Sequence, residues 1–192
     1  AAGIAREAAK DEIGPRLRNH LEVVKIIRDT LPNSVIVGDS AQPIYAANLY
    51  YDHDRPSGWF NSATGFGALG YAAPASIGAQ LGSQGSTVVC LTGDGGLQFS
   101  LAELGSAKDI NAPVIFVVWN NNGYQEIETS MVDAGIKPVG VTPQAPDFCA
   151  IAKAYGIGSS KPKSLGAFAK ALKMAKASNA PYLIEFDEAL AG

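Results

Sequence analysis

Basic charge, cysteine and histidine are scarce in this chain, and long apolar runs are missing. The 192 residues carry 15 Lys and Arg against 18 Asp and Glu, for a net charge of −3. No basic stripe stands out, which removes the usual electrostatic grip on nucleic acid. No apolar run reaches the about 18 residues of a membrane helix, and the N-terminus lacks the layout of a secretory signal. The two cysteines, Cys90 and Cys149, lie far apart and form no zinc-type pair. Each sits in an apolar segment ("TVVCLTG", "PDFCAIAKAYG") and is expected as a buried free thiol, in keeping with a cytoplasmic location. Of the two histidines, His20 falls on a helical pattern and is expected on the surface or in packing. His53, in the loop "YYDHDRPSGW", is expected to be solvated. There is no HExxH, no Gly-Lys-Ser/Thr phosphate loop, and "GDGGLQ" lacks the order of a dinucleotide fingerprint. Zinc hydrolysis and nucleotide binding are therefore poor starting points.

With 47% apolar and 17% charged residues, the chain can bury one sizeable core. Residues 1–14 are Ala-rich and charged, and are expected as a linker or the tail of a preceding domain. Residues 15–192 then form one domain. The chain begins at Ala1 rather than at a methionine, and is expected to be a piece of something longer. Leu17, Leu21, Val24 and Ile27 recur at helical spacing up to Pro32. "SVIVGDS", "TVVCLTGD", "PVIFVVWN" and "PYLIEFD" read as strands. "ALGYAAPASIGAQLG", "SLAELGSAKDI", "PDFCAIAKAY" and "SLGAFAKALKMAKA" read as helices, and residues 48–67 read as loop. Strands that are apolar throughout and alternate with helices predict a three-layer α/β/α domain on a mainly parallel sheet. Ligands of such sheets gather at the carboxyl ends of the strands. Here "VGDS", "TGDGG" and "WNNNGYQ" end three strands in polar, glycine-laden turns.

The stretch "LTGDGGLQFSLAEL" sets one carboxylate, Asp94, among Gly93, Gly95 and Gly96. Bare backbone suits close approach of a phosphate, but a carboxylate repels one unless a cation intervenes. Magnesium takes oxygen donors from one or two carboxylates together with substrate phosphates. Asp94 with an amide oxygen from Asn120, Asn121 or Asn122 supplies such a set. Either segment alone is also an ordinary turn composition.

"GDGG", then about twenty-five residues, then "NNNGY", resembles the thiamine diphosphate motif. "WFNSATGFGALGYAAPASIGAQLG" and "SVIVGDSAQPIYAANLYY" resemble the segments that precede it in the same family. The likeness covers roughly residues 16–187, and is to the C-terminal, diphosphate-binding domain of the acetolactate synthase and 2-oxo acid decarboxylase group. It implies the thiamine diphosphate-binding fold, with Mg2+ held by Asp94, by Asn121 (27 positions on) and by the carbonyl of Gly123. It also implies cofactor contacts from Asp39, Ser40, Ala41, Gly93, Gly95, Gly96 and Tyr124. Leu69 matches the apolar wedge that holds the cofactor bent, and the carbonyl of Gly67 matches the acceptor for its aminopyrimidine. The family often has Ser where Gly96 stands, so one hydroxyl contact is expected to be missing. Gln125 replaces a frequent glycine and receives no role.

No catalytic residue is expected within this chain. In the family the glutamate that activates the pyrimidine comes from an N-terminal domain of a partner subunit. The resemblance thus implies half of an active site, inactive alone, in a homodimer or homotetramer that decarboxylates or carboligates small 2-oxo acids. "GYQEIETSMVDAGIKPVGVTPQAPDF" resembles decarboxylases of 5-guanidino-2-oxopentanoate more than acetolactate synthases. Glu126, Glu128 and Asp133 are the candidate acids for a cationic substrate tail. The alternatives are an acetolactate synthase-type carboligase and a non-catalytic assembly module of the same fold. The intact set Asp94, Asn121 and Gly123 speaks against the latter.

Overall fold

Strand residues that alternate between two apolar faces need a cover on each side, and this determines the layers of the molecule. The computed structural model describes residues 2–83 and 85–191. Ala1, Gln84 and Gly192, and with them the outermost ends of the two expected segments, lie outside the described residues. In chain order the elements are α1 (Ala2–Glu12), α2 (Gly14–Thr30), β1 (Val35–Gly38), α3 (Gln42–Tyr50), β2 (Trp59–Asn61) and α4 (Ala72–Gly82). Then come β3 (Val88–Gly93), α5 (Asp94–Gln98), α6 (Glu103–Asp109), β4 (Val114–Asn120), α7 (Gln125–Asp133) and α8 (Phe148–Ala154). β5 (Gly158–Ser160), α9 (Leu165–Ser178) and β6 (Tyr182–Asp187) follow, and a 3-10 turn at Glu188–Leu190 is the last element of the described chain.

The six strands form one sheet in the order β2-β1-β3-β4-β6-β5, and every pairing is parallel. Central β4 is buried along all seven residues, and its side chains divide by twos. Ile115, Val117 and Trp119 face α2, α3 and α9, through Leu21, Val24, Ile27, Ile44, Phe168 and Leu172. Val114, Phe116 and Val118 face α4, α5, α6 and α8, through Ala73, Leu97, Leu104 and Phe148. Each fully buried side chain of this kind stabilises the fold by about 1.5–3 kcal/mol. The expected three-layer α/β/α architecture is therefore observed, with Pro74 in the first turn of α4.

Three expectations need correction. Residues 48–67 are not all loop: they contain the end of α3, the edge strand β2 and a 3-10 turn at Ser62–Thr64. His53 is not solvated. Its side chain is 7% exposed, with its ring nitrogens 2.9 Å from the Tyr51 hydroxyl and from the Ser34 carbonyl. Cys149 is only partly buried, whereas Cys90 is fully so. His20 is a packing residue, 2% exposed and edge-on to Trp119. Residues 2–12 form helix α1.

Candidate functional site

The chain leaves β1 to build β2 on one side and returns to build β3 on the other. The carboxyl ends of β1 and β3 thus flank the switch point of the sheet, where a crevice is unavoidable. A cleft of about 280 Å³ opens there, lined among others by Ser40, Ala41, Gly67, Leu69, the run Gly93–Gly96, Asn121, Gly123 and Tyr124. Of the twelve residues singled out for cofactor and metal, eleven line this one cleft.

Asp39 is the exception. Its carboxylate is fully buried behind the wall, where Oδ1 accepts from the Ser40 amide at 2.8 Å. Oδ2 accepts from the Gly70 amide at 2.9 Å and the Thr92 hydroxyl at 3.1 Å. Asp39 therefore ties the ends of β1 and β3 to the loop that carries Leu69, and its side chain is not placed to meet a diphosphate. Ser40 Oγ donates to the Gly67 carbonyl at 2.9 Å, so one lone pair of that oxygen is already engaged. Leu69 is half-buried in the turn before α4, not in helix core.

At the mouth of the cleft three oxygens converge. The Asn121 carboxamide oxygen lies 3.1 Å from Asp94 Oδ1 and 2.9 Å from the Gly123 carbonyl oxygen. Its nitrogen donates to Gln125 Oε1 at 3.1 Å. Turning this amide over together with that of Gln125 would convert all three contacts into hydrogen bonds. In the orientation shown, the three oxygens are spaced as a divalent cation would take them. Adjacent corners of an octahedron with Mg–O of 2.0–2.1 Å are about 2.9–3.0 Å apart, which matches the observed separations. Asp94 is 1% exposed and its Oδ2 has no hydrogen-bond partner. Burial pushes its carboxyl above the ordinary carboxylate range, against the pull of the backbone N–H groups of Gly95, Asn121, Asp94 itself and Gly123. None of the lining residues is Lys, Arg or His, so no side chain of the cleft offers a diphosphate a formal positive charge.

The local backbone explains why these residues converge. Asn120 is the last residue of β4, and its side chain is engaged by Glu185 and by the Asn122 backbone N–H. Asn122 adopts φ 60°, a left-handed conformation that Asn tolerates, and this swings Asn121 and Gly123 towards β3. At Gly123 a Cβ would lie 2.6 Å from the Val141 carbonyl oxygen, so the loop fits only as glycine. Gln42, Tyr45, Trp119, Gln125, Glu126 and Ile127 also line the cleft, and none was singled out for the cofactor from sequence. Gln42 and Tyr45 lie on α3, a short helix inside a family-like stretch from which only Asp39, Ser40 and Ala41 were singled out. Of the three acids considered for a cationic tail, only Glu126 lines the cleft, where it accepts from Gln42 Nε2 at 3.1 Å.

A parallel sheet whose switch-point cleft offers oxygen donors and bare amides belongs with diphosphate-binding α/β domains. The chain is a member of the family described as thiamine pyrophosphate enzyme, C-terminal TPP binding domain, which matches residues 39–186. It is 33% identical to the probable 2-ketoarginine decarboxylase of Pseudomonas aeruginosa, over 100% of this chain and 35% of that protein. It is 32% identical to the large subunit of acetolactate synthase isozyme 3 of Escherichia coli, over 79% of this chain and 27% of the other. Among solved structures, the thiamine diphosphate-dependent 4-hydroxybenzoylformate decarboxylase of Rhodococcus jostii RHA1 superposes with a TM-score of 0.77. The identity there is 28%, covering 86% of this chain and 32% of that one. The chain thus spans about a third of the length of these relatives. The family expected from the motifs, and the likeness to a decarboxylase of a guanidino 2-oxo acid, are both borne out.

Proposed function

We propose that this domain holds thiamine diphosphate through a Mg2+ ion bound by Asp94, Asn121 and the Gly123 carbonyl, within an enzyme that decarboxylates or carboligates 2-oxo acids. The observation that carries the reading is the three-oxygen cluster with edges of 2.9 and 3.1 Å, at the mouth of a cleft without basic side chains. Thiamine diphosphate, when bound, supplies the electron sink that stabilises the carbanion left by a departing carboxylate. The chain's own residues bind and orient. Asp94, Asn121 and Gly123 fix the cation, Leu69 stands beside the cleft as the wedge, and the Gly67 carbonyl offers an acceptor at its edge. Of the acids that line the cleft, Asp94 belongs to the oxygen cluster and Glu126 is bonded to Gln42, and the catalytic glutamate is proposed to come from an N-terminal domain of a partner subunit. Phe66, fully exposed, and Phe99, 65% exposed beside the Gly70 turn, support packing by such a domain in a dimer or tetramer. The free thiols of Cys90 and Cys149 fit a reducing, cytoplasmic setting.

Calorimetry of this chain with Mg2+ and thiamine diphosphate tests the binding half of the proposal. Binding that requires both and is lost in Asp94→Ala is the expected result; metal-independent binding sinks it. Carbon dioxide release from a panel of 2-oxo acids tests the rest. The 192-residue chain is expected to be inactive alone, and turnover by it would mean that the acid is supplied from within.

A narrower reading of the substrate follows from Glu126 at the cleft wall. A carboxylate there suits a 2-oxo acid with a cationic tail, the chemistry in the name of the Pseudomonas relative. In the complete enzyme, Glu126→Gln is expected to raise KM for the guanidino substrate while leaving KM for an uncharged 2-oxo acid unchanged. An equal change for both substrates refutes the reading.

A further inference from the structure

We propose that Glu185 is a positioning residue for the metal loop, setting through Asn120 the turn that presents Asn121 and Gly123 to Asp94. The proposal rests on the metal-site reading above. Glu185 sits in the interior of β6, where its neighbours Leu183, Ile184 and Phe186 are apolar and fully buried. It is itself 1% exposed, paired in register with Val118 on β4. A carboxylate at such a place costs several kcal/mol to desolvate unless its partners compensate. Compensation is incomplete, because Oε2 has no hydrogen-bond partner. Oε1 accepts from Lys161 Nζ and, at 2.9 Å, from Asn120 Nδ2.

The second of those bonds reaches the site. Asn120 is 6% exposed, and its carboxamide has two near-identical orientations in shape but opposite ones in hydrogen bonding. A carboxylate accepts only, so Glu185 fixes the amide with its nitrogen towards β6. The oxygen is thereby left facing the metal loop, where it accepts from the Asn122 backbone N–H at 3.0 Å. Asn122 is the left-handed residue of the loop. On one side of it stands the Asn121 oxygen, on the other the Gly123 carbonyl, both within 3.1 Å of a second oxygen of the cluster. If the Asn120 amide turned over, a donor would face a donor at Asn122 and the turn would lose its brace. Metal ligands held in this way by an outer hydrogen bond typically lose about 10–100-fold in affinity when the outer partner is removed. Lys161 supplies the positive charge that keeps company with the buried carboxylate.

The test follows Mn2+ binding by electron paramagnetic resonance, with thiamine diphosphate present, alongside hydrogen exchange of the Asn122 amide by NMR. Glu185→Leu is expected to speed Asn122 exchange about tenfold or more and to weaken Mn2+ by about 10–100-fold. Asn120→Asp alone sets two buried carboxylates side by side and is expected to do the same. Combining Asn120→Asp with Glu185→Gln reverses donor and acceptor, since the introduced amide donates and the new carboxylate still accepts from Asn122. That pair is expected to regain both readouts to within a few-fold, which a merely structural role for Glu185 does not predict. The near-isosteric pair also decides the matter if Glu185→Leu fails to fold. Failure of the pair to regain Mn2+ affinity over Asn120→Asp overturns the proposal. So does Asn122 exchange that quickens in Glu185→Leu with Mn2+ affinity unmoved. Asp94→Ala serves as the reference for the underlying reading: if it leaves Mn2+ binding intact, the metal site itself is wrong, and the positioning role falls with it.

Discussion

Asp94→Asn should move stability and cofactor binding in opposite directions. Asp94 is 1% exposed, one of its oxygens has no partner, and Oδ1 faces the Asn121 oxygen at 3.1 Å. Without a cation this is an unfavourable place for a charge, as the raised pKa of the carboxyl also indicates. An asparagine has nearly the same shape, keeps an acceptor for the surrounding amides, carries no charge and can set a donor against Asn121. Replacing the oxygen–oxygen contact between Oδ1 and Asn121 by a hydrogen bond is worth about 1 kcal/mol, and a net gain of that size is expected in the metal-free chain. For a domain of this size that is a rise of about 2–4 °C in melting temperature. In the presence of metal the sign reverses. The wild-type chain should gain about 2.7 kcal/mol at ligand concentrations about a hundredfold above Kd, or roughly 5–11 °C. The variant, lacking the carboxylate ligand, should gain nothing.

The assay is thermal denaturation of both proteins in chelator and in saturating Mg2+ with thiamine diphosphate. The curves should cross: the variant melts higher in chelator, and the wild type melts higher with ligand. A variant that melts lower than wild type in chelator means that Asp94 is a structural carboxylate satisfied by its backbone donors. A variant that retains the full ligand-induced rise means that the cation is held elsewhere.

Leu69→Ala removes a half-buried side chain, so it should cost about 1 kcal/mol, below the roughly 2–5 kcal/mol of a fully buried leucine, yet weaken thiamine diphosphate binding by more than that. Calorimetry and melting on the same sample separate the two losses, and equal losses reduce Leu69 to plain packing. Gly95→Ala places a Cβ 2.4 Å from the Tyr124 ring. Its better helix propensity, about 1 kcal/mol, offsets part of an overpacking cost of about 1–3 kcal/mol, so stability should fall only slightly. The Tyr124 ring must still move, and cofactor affinity should drop; unchanged affinity in titration refutes a role for the ring in the cleft. Burial holds the Cys90 thiol well above its ordinary range and raises that of Cys149 less drastically, with the Cys149 side chain partly exposed. At about pH 8 a thiol reagent should label Cys149 slowly and Cys90 only on unfolding. Native labelling of Cys90 at a free thiol's rate refutes that burial.

Much of this architecture is readable because the central strands are buried on both faces. Val88–Leu91 and Val114–Trp119 contain no polar residue to confuse a strand with a helix face. The short edge strands are a different matter. Gly158–Ser160 is polar and only three residues long, and Trp59–Asn61 interrupts a loop-like composition; each exists because a neighbouring strand offers it a ladder. Helix α3 has almost no polar face to set against an apolar one, since five of its nine residues are buried, so periodicity has little to work with. The candidate site was legible as a place where strand ends meet: Asp94 and Asn121 lie just beyond adjacent parallel strands, and their separation in sequence is set by the crossover between β3 and β4. Asp39 and Glu185 were not, because nothing in a sequence distinguishes a carboxylate that meets a ligand from one that braces the backbone behind it.

The glycines carry the same lesson further. Gly93, Gly95 and Gly96 read as bare backbone that lets a phosphate come close. In the folded chain much of the space they leave is taken by protein. A Cβ at Gly95 would strike Tyr124, and one at Gly96 would come within 3.0 Å of Asp39 Oδ2 and 3.1 Å of Thr92 Oγ1. Only Gly93 of the three has ordinary contact distances, 3.7 Å to Ala41 and 3.9 Å to the Ser40 carbonyl. The run is therefore first a packing solution: it lets the Asp39 latch and the Tyr124 ring close on the turn that carries Asp94. A turn clamped from both sides holds a buried carboxylate oxygen in a place where it has no partner of its own. That pre-set geometry is what a cation with strict octahedral demands requires of its ligand. On the proposed reading the absent side chains would thus serve the metal by way of the protein, with access for the diphosphate as their second effect.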